Sequence, residues 1–393
     1  MSQLLNERWS ETKEALLEGL TGNRRASMGV CLENTRRSLS ESATAGATSS
    51  GNIATLNRVI LPVIRRVMPT VIANEIIGVQ PMTGPVGQIH TLRVRYADGV
   101  ASGDVVSAGE EALSPFKIAS AYSGNNSATP GASPTATLEG SPGKRMSIQI
   151  LKTPVEAKSR KLSARWTFEA AQDAQAQQGI DIEAEIMAAL AQEITAEIDQ
   201  EILASLRSLA TVEETYDQSL VSGTATFVGD EHAALAIQIN RVSNLIAQRT
   251  RRGSGNWAVV SNQALTILQS ATTSAFARTT EGTFEAPTNT KFVGTLNGAM
   301  RIYVDAYMAD TVDANQVLIG YKGTSEADAA AFYCPYIPLM SSGVVLDPAT
   351  FEPVVGFLTR YGYVELSNTA SSLGNAADYL GKVAITSANV SFK

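Results

Sequence analysis

The sequence is poor in the residues that most often carry chemistry. It holds two histidines, His90 and His232, and two cysteines, Cys31 and Cys334, in 393 residues. So few imidazoles exclude a histidine-rich metal centre. Two distant thiols exclude a disulfide framework and fit a reducing compartment. No run of about 18 apolar residues occurs, so no membrane partner is expected. The first residues, MSQLLNERWSETKE, are charged and lack the apolar core of a secretory signal. The GxSxG, HExxH, CxxC and GxxxxGK signatures are all missing. A net charge of −7 lacks the strongly basic footprint of a dedicated nucleic-acid binder. What is present is core material. Hydrophobic residues make up 44% of a chain long enough for two or three domains or one elaborated fold.

The stretch Pro62–Tyr96 has an architectural character. Val63, Ile64, Val67, Val71 and Ile72 recur at helical spacing, with Pro69 kinking or ending the run. Gly78, Pro81, Gly84, Pro85 and Gly87 then crowd together, which predicts consecutive turns acting as a structural hinge. Leu92, Val94 and Tyr96 alternate with Thr91, Arg93 and Arg95, the pattern of a half-buried strand with a basic outer face.

Around this stretch the chain divides into an arm, a loop and a mixed body. Leu5, Trp9, Leu16 and Leu20 share a face of an amphipathic helix over residues 2–20. A basic segment follows, with Arg24, Arg25, Arg36 and Arg37, and then a small, polar linker over 38–52. These residues predict an extended arm, with a disordered tail as the alternative. Residues 99–143 are rich in Gly, Pro, Ser and Ala. They lie between strands at Ile89–Tyr96 and at Met146–Leu151 and Leu162–Phe168. Loops this long are functional or disordered. The longest helix is predicted from about Asp181 to Leu209. Ile182, Ile186, Leu190, Ile194, Ile198, Ile202 and Leu206 repeat every fourth residue along it. With ~3.6 residues per turn such a stripe drifts by about 40° per repeat and winds around the helix. That suits a strut meeting different neighbours at its two ends; an ordinary core helix is the alternative. Beyond residue 227, helices at 232–250 and 263–270 mix with strands at Trp257–Ser261, Met300–Met308, Val317–Tyr321, Ala331–Leu339 and Val354–Tyr363. This predicts an α+β fold.

No set of residues outweighs a structural explanation. The glycines at 78, 84 and 87 do not fit GxGxxG. RRGSGN at 251–256 is explained better by Gly253 capping a helix than by a phosphate cradle. Glu183, Glu185, Glu193, Glu197, Asp199 and Glu201 cluster on the long helix and predict a solvated or interface face, since no histidines accompany them. Arg65–Arg66 predicts a surface or inter-subunit contact. No catalytic residue, cofactor or metal ligand is assigned.

Eight strings occur in order: VQPMTGPVGQI, VEAKSRKLSARW, AQDAQAQQGID, RRGSGNWAVVS, MRIYVDAYM, VLIGYKG, YCPYIPL and EPVVGFLTRYG. Together they resemble the major capsid protein of contractile-tailed bacteriophages, of the T-even head-protein lineage. The resemblance spans most of the chain after its first fifty residues. It implies the tailed-phage capsid shell fold, shared with encapsulins. On that resemblance residues 1–60 are the N-terminal arm, and 61–98 lead into the peripheral domain and its outgoing strand. Residues 99–145 are the extended loop, and 146–215 the peripheral domain with its spine helix. Residues 216–349 are the axial domain, and 350–393 return to the peripheral domain.

The implied function is a structural shell protein that self-assembles into an icosahedral head around the genome. Its implied partners are itself, as hexameric and pentameric capsomers, together with portal, scaffold and cement or decoration proteins. Packaged DNA is a non-specific partner, and net acidity suits a shell that must release it. Assembly is expected in the host cytoplasm. Two departures from the family stand out. The extended loop is too short for the folded insertion of T-even head proteins. The Leu-x-Glu trimming pattern is matched by Leu39-Ser40-Glu41, making Glu41 the candidate cleavage residue, but also by Leu5-Asn6-Glu7 and Leu16-Leu17-Glu18, and an uncut arm is the expectation. The rival readings are an encapsulin-type nanocompartment and, more remotely, a soluble hydrolase.

Overall fold

The computed structural model describes residues 9, 13–14, 16–17, 20, 22–44, 71–99, 107–110, 112, 122–124, 132–140, 142–178, 181–217, 228–250, 252–271, 276–278, 291–308, 315–325, 328–347, 350, 352–366 and 375–387. The segment 62–70, including Arg65 and Arg66, lies outside them, as does Leu5. In chain order the elements begin with α1 (Gly22–Thr44), α2 (Ala73–Ile76), β1 (Gly78–Val79) and β2 (Val86–Tyr96). Next come α3 (Thr135–Leu138), β3 (Met146–Glu156), β4 (Lys158–Arg165), α4 (Phe168–Gln178), α5 (Ile182–Leu209) and β5 (Val212–Asp217). Then follow α6 (Val228–Thr250), β6 (Trp257–Val260), α7 (Asn262–Ser270), β7 (Phe276–Arg278), β8 (Lys291–Leu296) and β9 (Met300–Val304). The last are β10 (Gln316–Gly320), β11 (Ala331–Leu346), β12 (Pro353–Glu365), a 3₁₀ turn (Ala376–Tyr379) and β13 (Leu380–Ser387). Helices and sheets are interspersed, and the fold is α+β.

The chain forms two units. The first comprises residues 1–87, 154–203 and 332–364. Its sheet runs β1-β11-β12-β4. In β12, Val355, Phe357, Thr359 and Tyr361 are buried while the residues between them are half-buried. The antiparallel register sets Ala164 opposite Val355, Leu162 opposite Phe357 and Arg160 opposite Thr359, so these share the covered face. The other face of β4 carries Ser159, Lys161, Ser163 and Arg165, all exposed. Charges on an edge strand protect its open backbone from unwanted pairing.

The second unit comprises residues 88–153, 204–331 and 365–393. A seven-stranded sheet runs β5-β13-β10-β6-β9-β8-β7, with β5–β13 and β6–β9 parallel and the other pairs antiparallel. α6 packs over β5, β13 and β10. Leu235, Ile239, Val242 and Ile246, spaced along one face of the helix, are all fully buried, against Val317, Ile319, Val383 and Ile385 among others. α7 begins at Ser261, whose hydroxyl accepts from Ala264 N at 3.1 Å and so caps the helix. β2 and β3 form a separate two-stranded ribbon. Tyr96 at the end of β2 meets Tyr122 with ring centroids 4.5 Å apart and planes tilted by 52°.

Several segments differ from the sequence expectation. Residues 38–44, expected as linker, are the last turns of α1. That helix is anchored by tertiary contacts: Cys31 and Leu32 are fully buried, and Asn34 Nδ2 donates to Met82 O at 2.7 Å and Tyr336 O at 3.0 Å. The strand expected to reach Phe168 stops at Arg165. Ala- and Gln-rich residues then form α4, with Thr167 Oγ1 accepting from Ala170 N at 3.3 Å. The strands β1, β5, β7, β8 and β13 fall outside the expected ones. In β5, VEETYD, paired glutamates hide the alternation.

Gly320 supports the second sheet through its missing side chain. It pairs with Trp257, and a Cβ there would lie 2.1 Å from Trp257 Cζ2. Gly320→Ala is expected to lower unfolding stability by about 1–3 kcal/mol through overpacking, measured by denaturant titration.

Candidate functional site

The long helix α5 organises the first unit. Ile194, Ile198, Ile202 and Leu206 are essentially inaccessible, while Ile182 and Ile186 at its start are only half-buried. Asp181 caps it, accepting from Glu183 N at 3.1 Å. The carboxylates predicted as one solvated or interface face divide into three roles. Asp199 is 1% exposed and accepts from Ile72 N at 2.9 Å, which corrects the solvated expectation for this residue. It supplies an acceptor to a backbone N–H just before α2. Glu197 and Glu201 clamp Arg160 of β4: Nη1 donates to Glu197 at 2.7 Å and Nη2 to Glu201 at 2.6 Å. Arg160 Nε also donates to the Tyr361 hydroxyl at 2.6 Å, and that hydroxyl donates to Glu201. Glu185 and Glu193 stay exposed.

This network ties helix to sheet through charge-assisted bonds. Burial acts to raise the pKa of Glu201, but hydrogen bonds from Tyr361 and Arg160 outweigh it, and the net shift is downward. Burial and the Glu201 contact push the Tyr361 hydroxyl up. The signal legible in the sequence was the i, i+4 spacing of Glu197 and Glu201; their partner lay about forty residues away on a strand.

The Gly/Pro stretch is placed differently from a run of turns. Gly78 belongs to β1 and pairs in parallel with Phe332, so the turn expected there is corrected to a strand. Parallel pairing needs a close backbone approach, and the chain continues it with Gln80 N donating to Tyr333 O and Met82 N to Pro335 O, both at 3.0 Å. Pro81 is half-buried, and Gly84 and Pro85 form the bend before β2. Pro85 O accepts from Ala157 N at 2.9 Å. Gly87 lies in β2, where a Cβ would sit 3.2 Å from Met82 Sδ. Glu41 lies inside α1.

RRGSGN likewise has a packing explanation, though not the helix cap. Gly253 does not adopt a positive φ. A Cβ on it would lie 2.5 Å from Tyr321 Cε2, so the glycine admits the Tyr321 ring. Lys144 donates to Gly99 O at 2.9 Å, and Lys117 lies outside the described residues. Burial pushes the Cys31 and Cys334 thiols up to about 12, so both are protonated at neutral pH. Among the described residues no group of three His, Cys, Asp or Glu side chains could hold a metal ion.

Two buried polar contacts in the second unit escaped sequence reading. Arg207 pairs with Asp305, whose side chain is fully buried and also accepts from Tyr307 N at 3.0 Å. His232 is 4% exposed, with Nδ1 2.5 Å from Ser270 Oγ. That hydroxyl already donates to Ile267 O at 3.1 Å, so it accepts from Nδ1–H. Nε2 is then a bare acceptor, buried without a partner among the described residues. Burial lowers the His232 pKa from 6.5, against the opposing charge of Glu231.

Two outcomes follow from these groups. Asp199→Ala strands the Ile72 N–H and is expected to cost about 1–3 kcal/mol in a denaturant titration. The unfolded chain takes up the His232 proton before the folded one does. Stability is therefore complete above about pH 6.5 and declines as pH falls toward the lowered folded value. His232→Gln should flatten that part of a melting-temperature profile against pH.

The family model described as major capsid protein Gp23 matches residues 53–139 and 129–385. The major capsid protein of Salmonella phage ViI is 30% identical over 361 residues, covering 83% of this chain and 80% of the relative. That of Vibrio phage KVP40 is 28% identical over 423 residues, covering 85% and 81%. That of Enterobacteria phage T4 is 28% identical over 408 residues, covering 81% and 77%. Among solved structures, the capsid of Myoviridae phage XM1 aligns over 78% of this chain and 88% of that one, at 10% identity and a TM-score of 0.42. The capsid of cyanophage P-SCSP1u aligns over 81% and 89%, at 11% identity and a TM-score of 0.45. The kinship rests on the matched sequence, which runs through both units. The chain belongs to the major capsid protein Gp23 family, a structural protein of the phage head shell.

Proposed function

We propose that the chain assembles as hexameric and pentameric capsomers that close an icosahedral head around packaged DNA. The observation that carries this reading is the β2–β3 ribbon. Among the described residues it has two strands, and Val86, Met146, Ile148 and Ile150 are each 55–68% exposed on it. A lone two-stranded ribbon is marginal in water, and an apolar row of this size calls for a covering surface on another chain.

In this reading residues 1–60 serve as arm, 61–98 lead into the peripheral domain, and 99–145 form the extended loop over a neighbour. Residues 146–215 carry the spine helix and 216–331 form the axial domain at the capsomer centre; β11 and β12 lie in the first unit's sheet and β13 in the second's, so the return to the periphery is 332–364 rather than 350–393. Portal, scaffold and cement or decoration proteins are further partners, DNA is contacted without sequence preference, and assembly takes place in the host cytoplasm. The arm stays uncut: Glu41 sits within α1, whereas proteolysis concentrates at exposed loop tips.

Negative-stain microscopy of the purified chain under assembly conditions tests this. Closed shells holding nucleic acid in infected cells, with monomers at full-length mass, are expected. Small uniform particles would refute shell formation, a protein cargo would favour the nanocompartment, and loss of 41 residues would place the cut at Glu41.

A further inference from the structure

The charges of the chain are sharply segregated. From Lys144 to Arg165 there are seven cations and one acid; from Trp166 to Leu206 there are nine acids and no cation. Among the described residues Arg160 joins the two sets through the Glu197–Glu201 clamp. One exposed apolar surface lies inside the basic stretch, and another is lined in part by the acidic one.

One is the face of β3 bearing Met146, Ile148 and Ile150, exposed by 55%, 68% and 61%. The same face continues into exposed Lys152, and Arg145 precedes it with its side chain 74% exposed although it bridges Asp98. The other is a groove of about 350 Å³ floored by Trp166, Phe168, Val344 and Leu346. Its rim carries Asp181 and Glu183, and no cation lines it. Phe168, Val344 and Leu346 are 50%, 44% and 50% exposed, so no described residue of the chain covers the groove.

We infer that the Met146–Ile148–Ile150 row of one copy seats in the Trp166–Phe168–Leu346 groove of a second copy, with Lys152 meeting the Asp181 and Glu183 rim. This rests on the shell-forming reading and adds the two surfaces that mate. Electrostatics select the pairing. Row against row would oppose cations, and groove against groove would oppose acids; only row in groove brings opposite signs together. Each copy then gives one surface and receives on the other. Such a head-to-tail contact closes into rings when the rotation permits.

The test is a charge swap read as shell yield by sedimentation and microscopy. Lys152→Glu and Glu183→Lys are each expected to reduce yield about tenfold or more, and the double variant to recover most of it, because like charges at an interface are strongly unfavourable. Ala171→Trp, which fills the groove without altering charge, should also block assembly, as should Ile148→Asp. Circular dichroism of the unassembled fraction checks that each variant is folded. Wild-type yield from folded Ile148→Asp and Ala171→Trp, or a double variant no better than the singles, overturns the inference while leaving shell formation intact. Failure of the unmodified chain to form shells would instead sink the shell-forming reading.

Discussion

Burying a long helix whose apolar stripe spirals is the constraint on which the first unit depends. A repeat of four on a period of 3.6 cannot be covered by one flat partner. In α5 the stripe is sealed from Leu190 onward and only half-sealed at Ile182 and Ile186. Where it is sealed, polar side chains hold the neighbours in place. Asp199 accepts from the Ile72 amide before α2, and Glu197 and Glu201 grip Arg160 on β4. The apolar stripe supplies the bulk of the burial, and the polar contacts set where the helix lies along the sheet.

The same balance recurs in the second unit. Fully buried aliphatic residues on α6 meet the inner face of the seven-stranded sheet. Within this apolar volume Asp305 is admitted only with Arg207 beside it. An uncompensated buried charge costs several kcal/mol, so such a pair constrains geometry even where it adds little net stability. His232 is a second constrained group. Burial lowers its pKa, and its Nε2 is buried without a hydrogen-bond partner among the described residues.

Much of the fold was legible because its periodicities are strong. The apolar faces of α5 and α6, and the alternation in β12, appear in the sequence as they appear in the structure. Elements whose formation depends on distant contacts were harder to read. The end of α1 looks like a polar linker until Asn34 is seen bridging Met82 and Tyr336. α4 was masked by Trp166 and Phe168, which prolong the β4 alternation by two apolar residues. Gly253 owes its identity to close approach of the Tyr321 ring, and Gly78 is a strand residue paired with Phe332; neither partner is local.

The sequence by itself determined the α+β class, the lack of a histidine-rich metal centre, the family resemblance and the segregation of charge along residues 144–206. Each is a property of composition or short-range spacing. Only the tertiary structure decided which acids are solvated and which are structural, because Asp199 and Glu185 look alike in one dimension and differ only in what packs against them. It also decided which apolar residues are left uncovered. Met146, Ile148 and Ile150 would serve as core in most sequences, and they remain at the surface because no third strand among the described residues pairs with the ribbon that carries them.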